Sequence, residues 1–119
     1  IYVKTILSLI QQYDVHGVAH ITGGGFIENI PRILPEGLCA RIGLGSWQVP
    51  PIFGMLRERG WLDDGAMYNT FNMGIGMVLA LPREQAKDAV QAANALGETA
   101  SIIGQVEDQK ADGQRLVLA

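Results

Sequence analysis

The stretch Ile75-Gly76-Met77-Val78-Leu79-Ala80-Leu81 is an unbroken apolar run, and Pro82 closes it. A run this short suits a strand covered on both faces and is too brief for a buried helix, so it reads as a central strand. Pro82 then opens a segment in which Ala86, Ala89, Val90, Ala93 and Leu96 recur at helical spacing until Gly97 stops them. A buried strand feeding an amphipathic helix implies that helices and sheet pack as layers.

Working outward, Ser101 to Val106 and Arg115 to Leu118 read as two further strands. Ala111-Asp112-Gly113 is the turn signal between them, so the chain is expected to end in a hairpin. Towards the N-terminus, His16-Gly17-Val18-Ala19-His20-Ile21-Thr22 predicts a short buried strand running into Gly23-Gly24-Gly25. Phe26-Ile27-Glu28-Asn29-Ile30 follows as a helix ended by the segment from Pro31 to Pro35, and Leu38 to Ile42 as another strand. Pro50 and Pro51 suit the first turn of a helix, where a missing N–H costs nothing. That helix carries Ile52, Phe53, Leu56 and Trp61, with Gly60 as its stop; Asp63-Asp64-Gly65 then starts a short helix reaching about Tyr68. Val3, Ile6, Leu7 and Ile10 mark a first helix with no capping residue before it, and the chain opens on Ile1. Both features predict a piece of a longer protein. The mixture predicts an α+β layered sandwich.

Composition narrows the class. At 119 residues and 12.9 kDa the chain is one domain. Folded and extended surfaces of roughly 6,300 and 18,700 Å² follow from that mass, enough burial for a core without staples. With 48% hydrophobic and 18% charged residues it is not a disordered chain. No apolar run approaches the roughly 20 residues of a membrane span. A net charge of −3 carries no broad electrostatic footprint for nucleic acid, so neither nucleic acid nor a membrane is an expected partner. Cys39 is alone and cannot form an internal disulfide; a reducing, cytoplasmic setting is expected.

The 15 glycines, about twice the usual share, concentrate in two clusters with polar residues among them. The first is His20-Ile21-Thr22-Gly23-Gly24-Gly25. Its glycines permit positive φ and close approach, and a helix start offers N–H groups to an anion. Thr22 adds a hydroxyl and Asn29 an amide. The alternative reading is a tight strand-to-helix turn whose glycines serve packing alone. The second is Thr70-Phe71-Asn72-Met73-Gly74-Ile75-Gly76-Met77. Gly74 and Gly76 share a face if both already lie in the strand, leaving a groove for a ligand or another chain. Asn72 either contacts a ligand or caps the turn. His20 is an acid/base or phosphate-contacting candidate, or a structural residue at a strand end. His16 is expected in solvent and Cys39 inert. No metal is expected, because neither histidine has ligand partners at suitable spacing.

Ala19-His20-Ile21-Thr22-Gly23-Gly24-Gly25-Phe26 followed by Glu28-Asn29-Ile30-Pro31-Arg32-Ile33-Leu34-Pro35 resembles the aminoimidazole ribonucleotide synthetases, also called phosphoribosylformylglycinamidine cyclo-ligases. The likeness continues through Ser46-Trp47 and Met67-Tyr68-Asn69-Thr70-Phe71-Asn72-Met73-Gly74-Ile75-Gly76-Met77 to the strand from Ser101 to Val106. It covers only the C-terminal half of such an enzyme. The resemblance implies a layered α/β/α sandwich with a mixed sheet, partly ferredoxin-like, spanning residues 1–119 as a single C-terminal domain. It implies ATP-driven closure of the imidazole ring of formylglycinamidine ribonucleotide, with ADP and phosphate as co-products. ATP and Mg would be held mainly by an N-terminal domain that has no counterpart here, so none is expected in this piece. That N-terminal domain is an expected partner, and the parent is expected to be a homodimer. By position, Thr22, Gly23, Gly24 and Gly25 match the glycine-rich loop assigned to substrate phosphate or another anion, and His20 the contact with the reacting part. Asn29, Asn72, Gly74 and Gly76 match further binding positions. The wider superfamily often has aspartate in place of His20, so the histidine favours the cyclo-ligase branch. Met73 departs from the family, which often carries cysteine there. Two other functions compete: another ATP-dependent superfamily member acting on selenide, thiamine phosphate or a carbamoyl group, and a non-enzymatic ligand-sensing or assembly module.

Overall fold

A computed structural model describes residues 3–119, so the expected chain start at Ile1 lies outside the described residues. The first helix, α1, runs Val3–Gln12 and buries Thr5 and Leu9. Strand β1 (Gly17–His20) leads into a short helix α2 (Gly25–Asn29) and a 3-10 turn at Pro31–Ile33. Strand β2 (Leu38–Ile42) is followed by α3 (Pro51–Gly60) and α4 (Asp64–Thr70). Strand β3 (Met77–Ala80), a 3-10 turn at Arg83–Gln85, α5 (Ala86–Ala95), β4 (Gly104–Asp108) and β5 (Leu116–Leu118) complete the chain. The fold is α+β, and local chemistry sets its boundaries. Pro51 occupies the first turn of α3, and Asp63 caps α4 by accepting the Ala66 N–H at 2.8 Å.

The strands form two separate sheets. β1 pairs antiparallel with β3, while β2 lies between β4, antiparallel, and β5, parallel. The second sheet is therefore mixed. Two expectations need correction. The terminal hairpin does not form, because β2 lies between β4 and β5. Cys39, Ala40 and Ile42 are buried on opposite faces of β2, so this strand belongs at the centre and needs ladder partners on both sides. The turn at Ala111-Asp112-Gly113 is real, with Gly113 at φ 73° and the Gln114 N–H bonded to Asp112 Oδ1 at 3.0 Å. It reverses the chain across the width of β2 instead of joining neighbours. The strand built from the Ile75–Leu81 run is not central either. Among the described residues β3 has one partner, β1, and Met77 to Ala80 are each half-buried.

The main core lies where one face of both sheets meets α2 and α4. Phe26 and Met67 are its most buried large side chains, joined by Ile30, Tyr68, Ala19, Ile21, Ala40 and Ile42. Phe26 stacks on Trp47 with centroids 5.5 Å apart and meets Tyr68 edge-on at 5.3 Å. Helices α1 and α5 pack on one another as a second layer. Their buried residues Leu9, Ala89 and Ala93 stand apart from the main core.

Across the mixed sheet, Arg41 of β2 donates Nε–H to Glu107 Oε1 of β4 at 3.0 Å. That hydrogen bond, aided by the Arg41 charge, holds the Glu107 carboxyl below its usual range against the opposing pull of burial. A depressed carboxyl contributes stability above its unfolded value of about 4.3 and loses it as pH falls through the folded value. Urea midpoints should therefore fall more steeply below about pH 5 in the native chain than in Glu107→Gln. Parallel midpoint curves would show that the pair adds nothing.

Candidate functional site

Because β1 and β3 run antiparallel, the C-terminal end of one meets the N-terminal start of the other. His20 pairs with Met77, and the Ile21 N–H donates to the Gly76 carbonyl at 2.9 Å. This register brings both glycine clusters to one end of the ribbon. His20, Thr22, Gly23 and Gly74 are exposed there, Gly24, Asn72 and Gly76 are half-buried, and Gly25, Asn29 and Met73 are buried.

The first cluster is built from inside by Asn29. Its buried amide donates to the Gly25 carbonyl at 2.7 Å, with longer contacts of 3.4 Å to the Thr22 and Gly23 carbonyls. Asn29 thus ties the loop together and does not present its amide at the surface. Gly24 and Gly25 both have positive φ, at 94° and 59°. A Cβ on Gly25 would collide with the Tyr68 carbonyl oxygen, so this glycine lets α2 approach the end of α4. Gly23 has nothing within 4 Å of where a Cβ would stand. The packing and binding readings of the loop therefore divide by residue: Gly25 and Asn29 hold it, while Thr22 and Gly23 are free to meet a ligand.

The second cluster is a turn rather than strand. β3 begins only at Met77, so Gly74 and Gly76 do not form the one-sided strand groove that their alternation suggests. Asn72 caps the turn, accepting the Gly74 N–H on Oδ1 at 2.9 Å, while the Ile75 N–H donates to the Asn72 carbonyl. Met73 has φ 54°, a conformation costing roughly 1–2 kcal/mol for a residue with a Cβ. The Trp47 indole N–H secures it by donating to the Met73 carbonyl at 3.0 Å. Burial pushes the Tyr68 phenol above its ordinary value, so it remains protonated under this loop.

Two contributors escape sequence reasoning. The Glu28 side chain folds back over Gly24, one helical turn earlier, and places a carboxylate at the glycine loop. A four-residue separation on a helix is the available signal. Trp47 is the second, since nothing local in the sequence points its indole at Met73. Elsewhere, His16 lies 3.2 Å from Asp14 in solvent, and Cys39 is free and buried. Among the described residues no group of three or more His, Cys, Asp or Glu is arranged to hold a metal ion, and no helix is long and apolar enough to cross a membrane.

Residues 1–116 match the family model described as AIR synthase related protein, C-terminal domain. The phosphoribosylformylglycinamidine cyclo-ligase of Bacillus mycoides (strain KBAB4) is 62% identical over 104 residues, covering 87% of this chain and 30% of that protein. The enzyme of the same name from Bacillus thuringiensis (strain Al Hakam) is 61% identical over the same coverage. The chain therefore spans about a third of the length of these relatives. On this match, the chain belongs to the AIR synthase related protein, C-terminal domain, family.

Proposed function

We propose that this chain is the C-terminal domain of a phosphoribosylformylglycinamidine cyclo-ligase and supplies one wall of its active site. The observation that carries the reading is the 62% identity to such an enzyme, supported by the convergence of both glycine motifs at one exposed end of the β1–β3 ribbon. The reaction is ATP-dependent: the formyl amide oxygen of formylglycinamidine ribonucleotide is activated and the amidine nitrogen closes the imidazole ring. Aminoimidazole ribonucleotide, ADP and phosphate result. ATP and Mg are assigned mainly to the partner N-terminal domain, the parent is a homodimer, and the setting is cytoplasmic. His20 contacts the reacting part. The Thr22 hydroxyl and the Gly23 backbone meet the substrate phosphate or another anion. Gly24, Gly25 and Asn29 shape that loop, and Asn72, Gly74 and Gly76 shape the facing turn.

Amide NMR titration of the chain with aminoimidazole ribonucleotide, against ATP, tests the loop. The expected result is saturable shifts at Thr22 to Gly25 with the ribonucleotide and none with ATP. Shifts centred elsewhere with the ribonucleotide would overturn the loop assignment. Glu28 sharpens the experiment. Its carboxylate repels a phosphate a few ångströms away by about 1 kcal/mol in a water-like medium. Glu28→Gln should therefore tighten ribonucleotide binding about fivefold and leave an uncharged nucleoside unaffected. An equal effect on both ligands would remove phosphate from the loop. The chain by itself is expected to show no ATP-dependent ring closure.

A further inference from the structure

Helix α2 carries two polar side chains, and they turn opposite ways. Asn29 is buried and gives its amide to the Gly25, Thr22 and Gly23 carbonyls. Glu28 is exposed, and its carboxylate folds back to cover Gly24. Gly24 has φ 94°, and a Cβ there would stand on Glu28 Oε2, so the carboxylate has this seat because the residue is glycine. A carboxylate folded over the start of its own helix ordinarily accepts a backbone N–H there. Glu28 does not. The start of α2 has no side-chain cap, and the Gly25 N–H donates to the Thr22 carbonyl instead. Among the described residues Glu28 has no ion-pair partner either. Capping and charge pairing within the chain therefore leave its position unexplained, at a loop whose Thr22 and Gly23 are also exposed.

We propose that Glu28 is a specificity-determining residue: it recognises the amidine of the substrate and rejects the amide counterpart, which carries oxygen in place of the amidine nitrogen. This role rests on the cyclo-ligase reading. A carboxylate beside a phosphate-binding loop weakens the hold on phosphate alone. The repulsion is offset when one ligand carries both charges. Formylglycinamidine ribonucleotide does so, because its phosphate is anionic and its amidine, a strong base, is a cation at neutral pH. The amidinium is planar, with N–H groups side by side in the fork that a carboxylate accepts on its two oxygens. It is joined to the same sugar as the phosphate, so one loop reaches both groups. Ring closure takes the amidine nitrogen into an aminoimidazole, a much weaker base. The product therefore keeps the phosphate and loses the cation, and Glu28 attracts the substrate but repels the product.

The test places this chain in the Bacillus mycoides cyclo-ligase in exchange for the matched residues. Equilibrium binding of formylglycinamidine ribonucleotide and of its amide counterpart is measured without ATP, and ring closure is followed separately. Native Glu28 is expected to favour the amidine ligand by about tenfold or more, as hydrogen bonds between charged groups do. Glu28→Gln, isosteric at an exposed position, should weaken the amidine ligand and tighten the amide ligand and the aminoimidazole product, which share only the phosphate repulsion. Opposite signs on two ligands that differ by one atom exclude a merely structural effect. Glu28→Asp keeps the charge on a shorter reach and should keep part of the preference. Equal affinity for the two ligands in the native protein overturns the role, and so does a preference that survives Glu28→Gln. Equal weakening of both ligands by Glu28→Gln overturns it as well, since that is the loss of a loop support. Ring closure with no amidine preference would overturn the role and leave the proposed activity standing. A preference that depends on Glu28 without ring closure would support the role and count against the activity. Binding of neither ligand by the native protein overturns both.

Discussion

Gly25→Ala is expected to destabilise the chain by about 2–5 kcal/mol, while Gly23→Ala, two residues earlier, changes stability by less than about 1 kcal/mol. Gly25 sits at φ 59°, where an added Cβ costs roughly 1–2 kcal/mol by itself. That Cβ would also overlap the Tyr68 carbonyl oxygen and stand 2.8 Å from the Phe71 carbonyl oxygen. Both obstacles are backbone at the end of α4, so neither can rotate away. Shifting them adds roughly 1–3 kcal/mol of overpacking. Gly23 has open space and no positive φ, so alanine there fits and even restricts the unfolded chain slightly. Urea denaturation of the two variants separates the packing role of the cluster from its binding role. Gly23→Ala should fold normally and lose the ribonucleotide-induced shifts. Equal destabilisation by both substitutions would mean that the cluster is one rigid turn with no residue free for a ligand.

That division shows where sequence reading runs out. Periodicity and end signals locate the helices, since α3 and α4 carry their own starts in Pro51 and Asp63 and α5 buries Ala89 and Ala93 of its stripe. The α1 stripe locates the helix but not its buried face, because Val3, Leu7 and Ile10 are exposed while Thr5 and Leu9 are buried. Strand existence is legible too, but pairing is not. Ala111-Asp112-Gly113 specifies a reversal, and nothing in a turn records that a third strand will lie inside it. The apolar run before Pro82 reads as central because it has no polar face. In the structure its apolar side chains border a groove beside β3, so the run reports an apolar environment and not the number of neighbouring strands. The candidate site is legible as two motifs, since each glycine cluster is local. Their convergence comes from the antiparallel β1–β3 register, which links Ile21 to Gly76. The inward turn of Asn29 is hidden as well. An amide on a short helix points to ligand or to loop with equal chemistry, and only the packed geometry decides.

Phe26→Ala should cost about 3–5 kcal/mol, a large part of the roughly 5–15 kcal/mol that holds a domain together. Phe26 is fully buried at the start of α2, between the Trp47 ring and the Tyr68 ring. Truncation leaves a cavity among groups fixed by other duties. Trp47 is tied through its indole to Met73, and Tyr68 belongs to a capped helix, so neither is free to collapse inward. The aromatic geometry adds a specific component beyond burial, about 0.5–1.5 kcal/mol for each pair. A double-mutant cycle of Phe26→Leu and Trp47→Leu should therefore show a coupling of about 0.5–1.5 kcal/mol. Additive effects would mean that the rings share volume without a directed contact. The consequence reaches the site, because Trp47 links the core beneath the first glycine cluster to the strained turn of the second. Phe26→Leu should keep the fold, yet broaden the amide signals of Met73 and Gly74 together with those of Gly24 and Gly25. Broadening at only one cluster would show that the two loops meet at the ribbon end without being mechanically joined through the core.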